Sequence, residues 1–191
     1  MKFLPKNIDY LRIGNKRQSD AYLAINELNI FNILEKFNPI LAGTIPLEID
    51  IDSSDLDLIC ESSDLLEFQS TLKFYFGNMD SFDTYIPKVR DIPTIVATFK
   101  FYNFTFEIFC QSVPVENQFA VIHLKIEERL LRLSGDHVKE KIRNLKKQGM
   151  KTELAFATYF KIKGDPYEEL AKMADYTDQQ LIDMIDKIFQ S

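Results

Sequence analysis

The chain has 191 residues, 46% of them hydrophobic and 27% charged, the balance of a globular protein with one sizeable core rather than of a disordered chain. Its 23 Lys and Arg against 29 Asp and Glu give a formal net charge of -6, which repels a phosphate backbone and argues against generic nucleic-acid binding. No stretch approaches the roughly 18 apolar residues that cross a bilayer, and Met1 to Tyr10 holds no apolar leader, so no membrane association and a cytoplasmic location are expected.

Two cysteines, Cys60 and Cys110, stand outside any CxxC or Cys/His cluster, which excludes a disulfide framework and structural zinc and leaves core thiols. Sixteen Phe and no Trp predict a core filled largely by phenylalanine.

From Arg17 to Phe37, Ala21, Ala24, Ile25, Leu28 and Phe31 fall on one stripe and predict a helix stopped by Pro39. Ile40 to Thr44 reads as a short buried strand. Pro46 to Ser54, rich in acids, reads as a loop or hairpin in which Glu48, Asp50 and Asp52 are solvated, with contact to a cation as the lesser alternative, and Asp55 to Cys60 as a second strand. Asp64 with Glu67 opens a helix that ends near Gly77. Ile95 to Phe99 and Phe104 to Phe109 belong to up to three antiparallel strands over residues 82–112. After Pro114 the spacing turns helical, with Phe119, Ile122, Ile126, Leu130 and Leu133 on one face. Gly135, Gly149 and Gly164 are read as ends, and Thr152, Asp165-Pro166 and Thr177 as starts, of four or five helices. The expected fold is α+β: a mixed sheet with helices on one face over residues 1–113, then a helical bundle over 114–191, as a single folding unit.

Alternate residues of a strand share a face, so Asp55 and Asp57 point one way while Leu56 and Leu58 point into the core. Two neighbouring carboxylates need a cation between them, and hard oxygen ligands at this spacing suit Mg²⁺ or Mn²⁺. A solvated strand face is the plainer alternative. Gly43-Thr44, twelve residues before Asp55, ends a strand where a glycine admits a triphosphate close to the backbone and a hydroxyl adds a hydrogen bond. Glu107 is the one acid in an otherwise apolar strand. It is either a third ligand or a strand-edge carboxylate paired with a lysine such as Lys100. If its strand pairs beside Asp55 to Asp57, the three carboxylates meet on one face, with Cys60 and Cys110 on the other.

Leu41 to Pro46, Ser54 to Glu61, Gly149 to Glu153 and Gly164 to Tyr167 resemble the DUF4269 type of bacterial protein, and the order of elements around them resembles the polymerase-β-like nucleotidyltransferase core. The resemblance spans most of residues 17–175. It implies Asp55, Asp57 and Glu107 as catalytic and metal-binding residues, with a nucleoside triphosphate as substrate. Gly-Thr replaces the usual Gly-Ser or Gly-Gly, which keeps a hydroxyl but adds bulk at Thr44. Lys88 and Arg90 are a further candidate phosphate grip.

The basic set Arg129, Arg132, Lys139, Lys141, Arg143, Lys146, Lys147 and Lys151 is either the wet face of two helices or a grip on a triphosphate or polyanionic acceptor. His123, one turn before Glu127, has a spacing that could clamp a metal, but it reads rather as a surface pair with Glu127 on an amphipathic helix. Expected partners are a nucleotide and a small-molecule, RNA or protein acceptor. The competing expectation is an inactive nucleotide-binding or protein-interaction module on the same fold; a phosphotransferase or phosphohydrolase using the same acids is a weaker third.

Overall fold

A computed structural model describes residues 7–189; most of the leader region considered above lies outside them. The chain divides into two compact units: residues up to Pro46 with Ser54–Val121, and Leu47–Ser53 with the residues from Ile122 onward.

In the first unit, α1 (Lys16–Glu27) opens on a reciprocal cap in which the Asn15 side chain accepts from the Gln18 amide and the Gln18 side chain from the Asn15 amide. The single helix expected to Phe37 is broken. Asn29 takes a left-handed φ of 53° before a short α2 (Ile30–Ile33), and Asn38 does the same before β1 (Ile40–Ala42). Asn tolerates that region because its short polar side chain bonds locally, so a helical stripe can run through a break.

Next come β2 (Leu56–Glu61) and α3 (Leu65–Phe76), whose cap residue Asp64 accepts from the Glu67 amide. They are followed by β3 (Asp80–Tyr85), β4 (Lys88–Val89), β5 (Ile92–Phe101) and β6 (Phe104–Gln111). The sheet order is β1-β2-β6-β5-β3, with β4 on β5. The β2–β6 pair is parallel and the others antiparallel, so the sheet is mixed. Leu56, Leu58, Cys60, Ile95, Ala97, Phe99, Phe106, Ile108 and Cys110 form the core face with Ala21, Ala24 and Ile25 of α1 and Phe68, Leu72 and Phe76 of α3. Phe76, Phe99 and Phe106 stack through it with centroids 5.1 Å apart at each step, as the phenylalanine content predicted.

The second unit is helical. α4 (Phe119–Ser134) begins in the first unit, and α5 (His137–Lys147), α6 (Thr152–Tyr159), α7 (Pro166–Met173) and α8 (Asp178–Phe189) follow. Asp165 caps α7 with Pro166 at its first position, as expected. The loop Leu47–Ser53 belongs to this unit, and the expectation that Glu48 is simply solvated is corrected. Lys139 Nζ lies 2.5 Å from Glu48 Oε2, Arg143 donates to the Glu48 carbonyl at 2.8 Å, and Lys146 Nζ donates to the Ile49 carbonyl at 2.9 Å.

His123 and Glu127 are not a surface pair. Both are buried, and His123 places Nε2 2.9 Å from the Tyr167 carbonyl and Nδ1 3.4 Å from Glu153. Among the described residues no helix is long and apolar enough to cross a membrane.

Candidate active site

The site acids sit where parallel pairing brings two strand starts together. Asp57 of β2 is in register with Glu107 of β6, and Glu107 with Thr98 of β5. Register partners on adjacent strands present their side chains to the same face about 4.8 Å apart. Asp57, Glu107 and Thr98 therefore form a row on the face opposite the phenylalanine core. Cys60 and Cys110, also in register, turn into that core, as alternation requires. Both are free and buried. Burial drives both thiols up, Cys60 well above its ordinary range and Cys110 to about 12, so neither is a nucleophile at neutral pH.

Asp55 stands two residues before Asp57, on the stretch entering β2. All three acids are half-buried. Among the described residues no three His, Cys, Asp or Glu side chains are gathered as a metal ligand set; the part that the sheet itself fixes is the Asp57–Glu107 pair.

Gly43 follows β1 with φ +74°, and a Cβ placed on it would lie 1.9 Å from Oδ2 of Asp57. The space of the missing side chain is filled by the Asp57 carboxylate. That cradle and the all-oxygen donor set fit a hard divalent ion. Next to it, Thr44 Oγ1 donates to Ser54 Oγ at 3.2 Å, while the Ser54 carbonyl accepts from an Arg17 guanidinium nitrogen at 3.0 Å. Arg17 also lies over the Phe104 ring, 4.7 Å from its centroid.

The sequence reading missed Arg17, Gln18 and Ser54. The Asn15-x-x-Gln18 spacing marks only a helix start, and the contacts of Gln18 with Ile45 and of Arg17 with Ser54 span 27 and 37 residues.

Lys88 lies on β4 opposite Pro93 of β5, and Arg90 stands in the turn that joins these two strands. Thr94, just beyond their hairpin, pairs with Gln111, and the Gln111 amide donates to the Thr94 hydroxyl at 2.9 Å. Arg90 stacks on Phe119, 3.5 Å from the ring centroid.

In the second unit, Arg129 and Arg132 pair with Asp178 at 3.0 and 3.1 Å. Five members of the basic set, Arg129, Arg132, Lys139, Arg143 and Lys146, thus bind this unit's own groups, while Lys141, Lys147 and Lys151 are exposed.

The family model described as "Domain of unknown function (DUF4269)" matches residues 23–173. No curated protein matches the sequence. Among solved structures, a mutant of the Cid1 poly(U) polymerase bound to MgATP shares 16% identity over 85% of this chain and 53% of its own, with a TM-score of 0.51. The Mg 3'-dATP-bound form of that enzyme shares 14% identity over 85% and 52%, with a TM-score of 0.50. The polymerase core of TRAMP, an RNA surveillance complex, shares 12% over 96% and 60%, at 0.48. This chain spans about half the length of the Cid1 structures. At such identities the likeness establishes the fold, which is that of the nucleotidyltransferases.

Proposed function

This chain belongs to the DUF4269 family, and we propose that it is a metal-dependent nucleotidyltransferase, moving a nucleotidyl group from a nucleoside triphosphate to a hydroxyl-bearing acceptor. The observation that carries this reading is the register of Asp57 with Glu107 on one sheet face, with Gly43 leaving room for the Asp57 carboxylate. The nucleotidyltransferase fold supports it.

Asp55, Asp57 and Glu107 would hold Mg²⁺ or Mn²⁺, which supplies charge stabilisation for the attacking and leaving oxygens of an in-line displacement. Gly43 lets the Asp57 carboxylate lie against the backbone, and Thr44 offers the triphosphate a hydroxyl once it turns from Ser54. Glu107 orients the acceptor hydroxyl and takes its proton as the oxygen attacks. The new bond joins that oxygen to the α-phosphorus, the α–β bridging bond breaks, and pyrophosphate leaves. With a net charge of -6, the acceptor is a small molecule or a specifically docked RNA or protein rather than generic nucleic acid.

Calorimetric titration with ATP, UTP, GTP and CTP in the presence of Mg²⁺ or Mn²⁺ tests the site. Wild-type protein binds at least one of them, and Asp57→Asn loses most of that metal-dependent affinity. Binding by neither protein contradicts the proposal. Tight binding with no product formed with any acceptor identifies a binding module instead.

A further inference from the structure

The first turn of α1 reaches both feet of the connection between Gly43-Thr44 and Asp55. Gln18 is buried, and its Nε2 donates to the Ile45 carbonyl at 3.0 Å and to the Pro46 carbonyl at 3.4 Å, just after the Gly-Thr pair. Its neighbour Arg17 donates to the Ser54 carbonyl at 3.0 Å, just before Asp55. Between the two feet, Thr44 Oγ1 bonds Ser54 Oγ at 3.2 Å. Backbone pairing of Ala42 with Asp57 joins β1 to β2, and beyond the end of that ladder these side-chain bonds tie the two feet.

The holders are themselves fixed. Gln18 Oε1 accepts from the Asn15 amide at 3.1 Å, and the Asn15 side chain accepts from the Gln18 amide at 3.0 Å. A Cβ on Gly14 would lie 2.0 Å from Gln18 Oε1, so a glycine at 14 admits the Gln18 side chain in this pose. Arg17 is steadied by the Phe104 ring, and Phe104 begins the strand that carries Glu107. A buried amide with both functions bonded is a costly group to place and a rigid one once placed.

We infer that Arg17 and Gln18 form a clamp that, beyond the Ala42–Asp57 strand pairing, braces the ends of the connection from Thr44 to Asp55, and so act as positioning residues for the active site. Gly14, Asn15, Arg17 and Gln18 all precede residue 23, where the match to the family begins. The functional part of this inference rests on the nucleotidyl-transfer reading; the structural part does not. Small displacements of metal-holding carboxylates weaken metal binding far more than they weaken folding, because ligand geometry tolerates only tenths of an ångström.

The experiment combines two readouts on the whole chain with Arg17→Met, Gln18→Met and Arg17→Lys. Each methionine keeps an apolar stem and removes the donor; the lysine restores one donor and the charge. Amide hydrogen exchange is expected to rise about tenfold or more at residues 43–45 and 54–57 in both methionine variants, with β5 and β6 unchanged. Arg17→Lys recovers part of the protection at 54–57. Unchanged exchange at both feet, or an equal rise across the whole sheet, overturns the clamp.

In parallel, the Mg²⁺ or Mn²⁺ concentration at half-maximal triphosphate binding is expected to rise several-fold in the methionine variants, at a metal-saturated affinity close to wild type. A wild type that binds no triphosphate sinks the nucleotidyl-transfer reading, and the clamp is then decided by exchange alone. Locally raised exchange with an unmoved metal requirement overturns the positioning role.

Discussion

A methyl group at position 43 has nowhere to go: its site is taken by Oδ2 of Asp57, 1.9 Å away, and the backbone there has φ +74°. Gly43→Ala must push the carboxylate aside and hold an L side chain in the left-handed region, which together cost on the order of 1–3 kcal/mol. Asp57→Asn differs, because it keeps one acceptor oxygen, opens no cavity and removes charge repulsion next to Glu107. An ion that binds only the folded state adds about 2.7 kcal/mol at a hundredfold its dissociation constant. Thermal unfolding should therefore show Gly43→Ala melting below wild type without metal and Asp57→Asn melting at or above it. Both should lose most of the rise that millimolar Mg²⁺ or Mn²⁺ with a triphosphate gives the wild type. The cost of Gly43→Ala should shrink in an Asp57→Ala background, since the clash partner is gone. Equal cost in both backgrounds would show that the two residues do not meet.

At the level of elements, periodicity located β1, β2, β5, β6 and most helices, because apolar spacing records which face is buried, while four strands stand in the stretch read as up to three. The register of Asp57 with Glu107 was legible for the same reason: a lone Glu107 among apolar residues and Asp-x-Asp between leucines are what one wet sheet face leaves in a sequence. Tertiary partners were not legible. The segment 47–53 reads as solvated from its acids alone, and the cations that meet Glu48 and Ile49 lie 91 to 97 residues later. His123 and Glu127 read as a surface pair because i,i+4 spacing says nothing of what packs above it. In the second unit, burial raises the Glu127 carboxyl well above its ordinary 4.5; the nearby Glu153 charge adds to this and Lys146 opposes it. Burial also pushes Glu153 up, but the His123 hydrogen bond and the other contacts bring it below its usual range.

A carboxyl raised on folding contributes stability that is fully present below its unfolded value and is lost as pH rises through its folded value. The wild type should thus lose stability upward from about pH 4.5 on account of Glu127, while Glu127→Gln cannot ionise there. Melting temperatures of the two should converge near pH 4.5 and separate by a few degrees toward pH 8, with the variant higher. Parallel curves across that range would mean that Glu127 does not titrate on unfolding. Glu153 acts oppositely, its contribution present above its unfolded value and lost as pH falls through its lower folded value, which is common to both proteins.

On the scale of the whole molecule, a net charge of -6, with several cations bound to the chain's own loop and acids, disfavours generic polyanion binding. The measurement that bears most directly on the proposal is metal-dependent pyrophosphate release. Wild type and Asp57→Asn are incubated with Mg²⁺ or Mn²⁺ and each of the four ribonucleoside triphosphates, together with RNA, protein and small hydroxyl acceptors. The account predicts release by the wild type that requires the metal and falls at least about a hundredfold in Asp57→Asn. Equal release by the two proteins, or none from the wild type with any triphosphate, metal and acceptor, would contradict it.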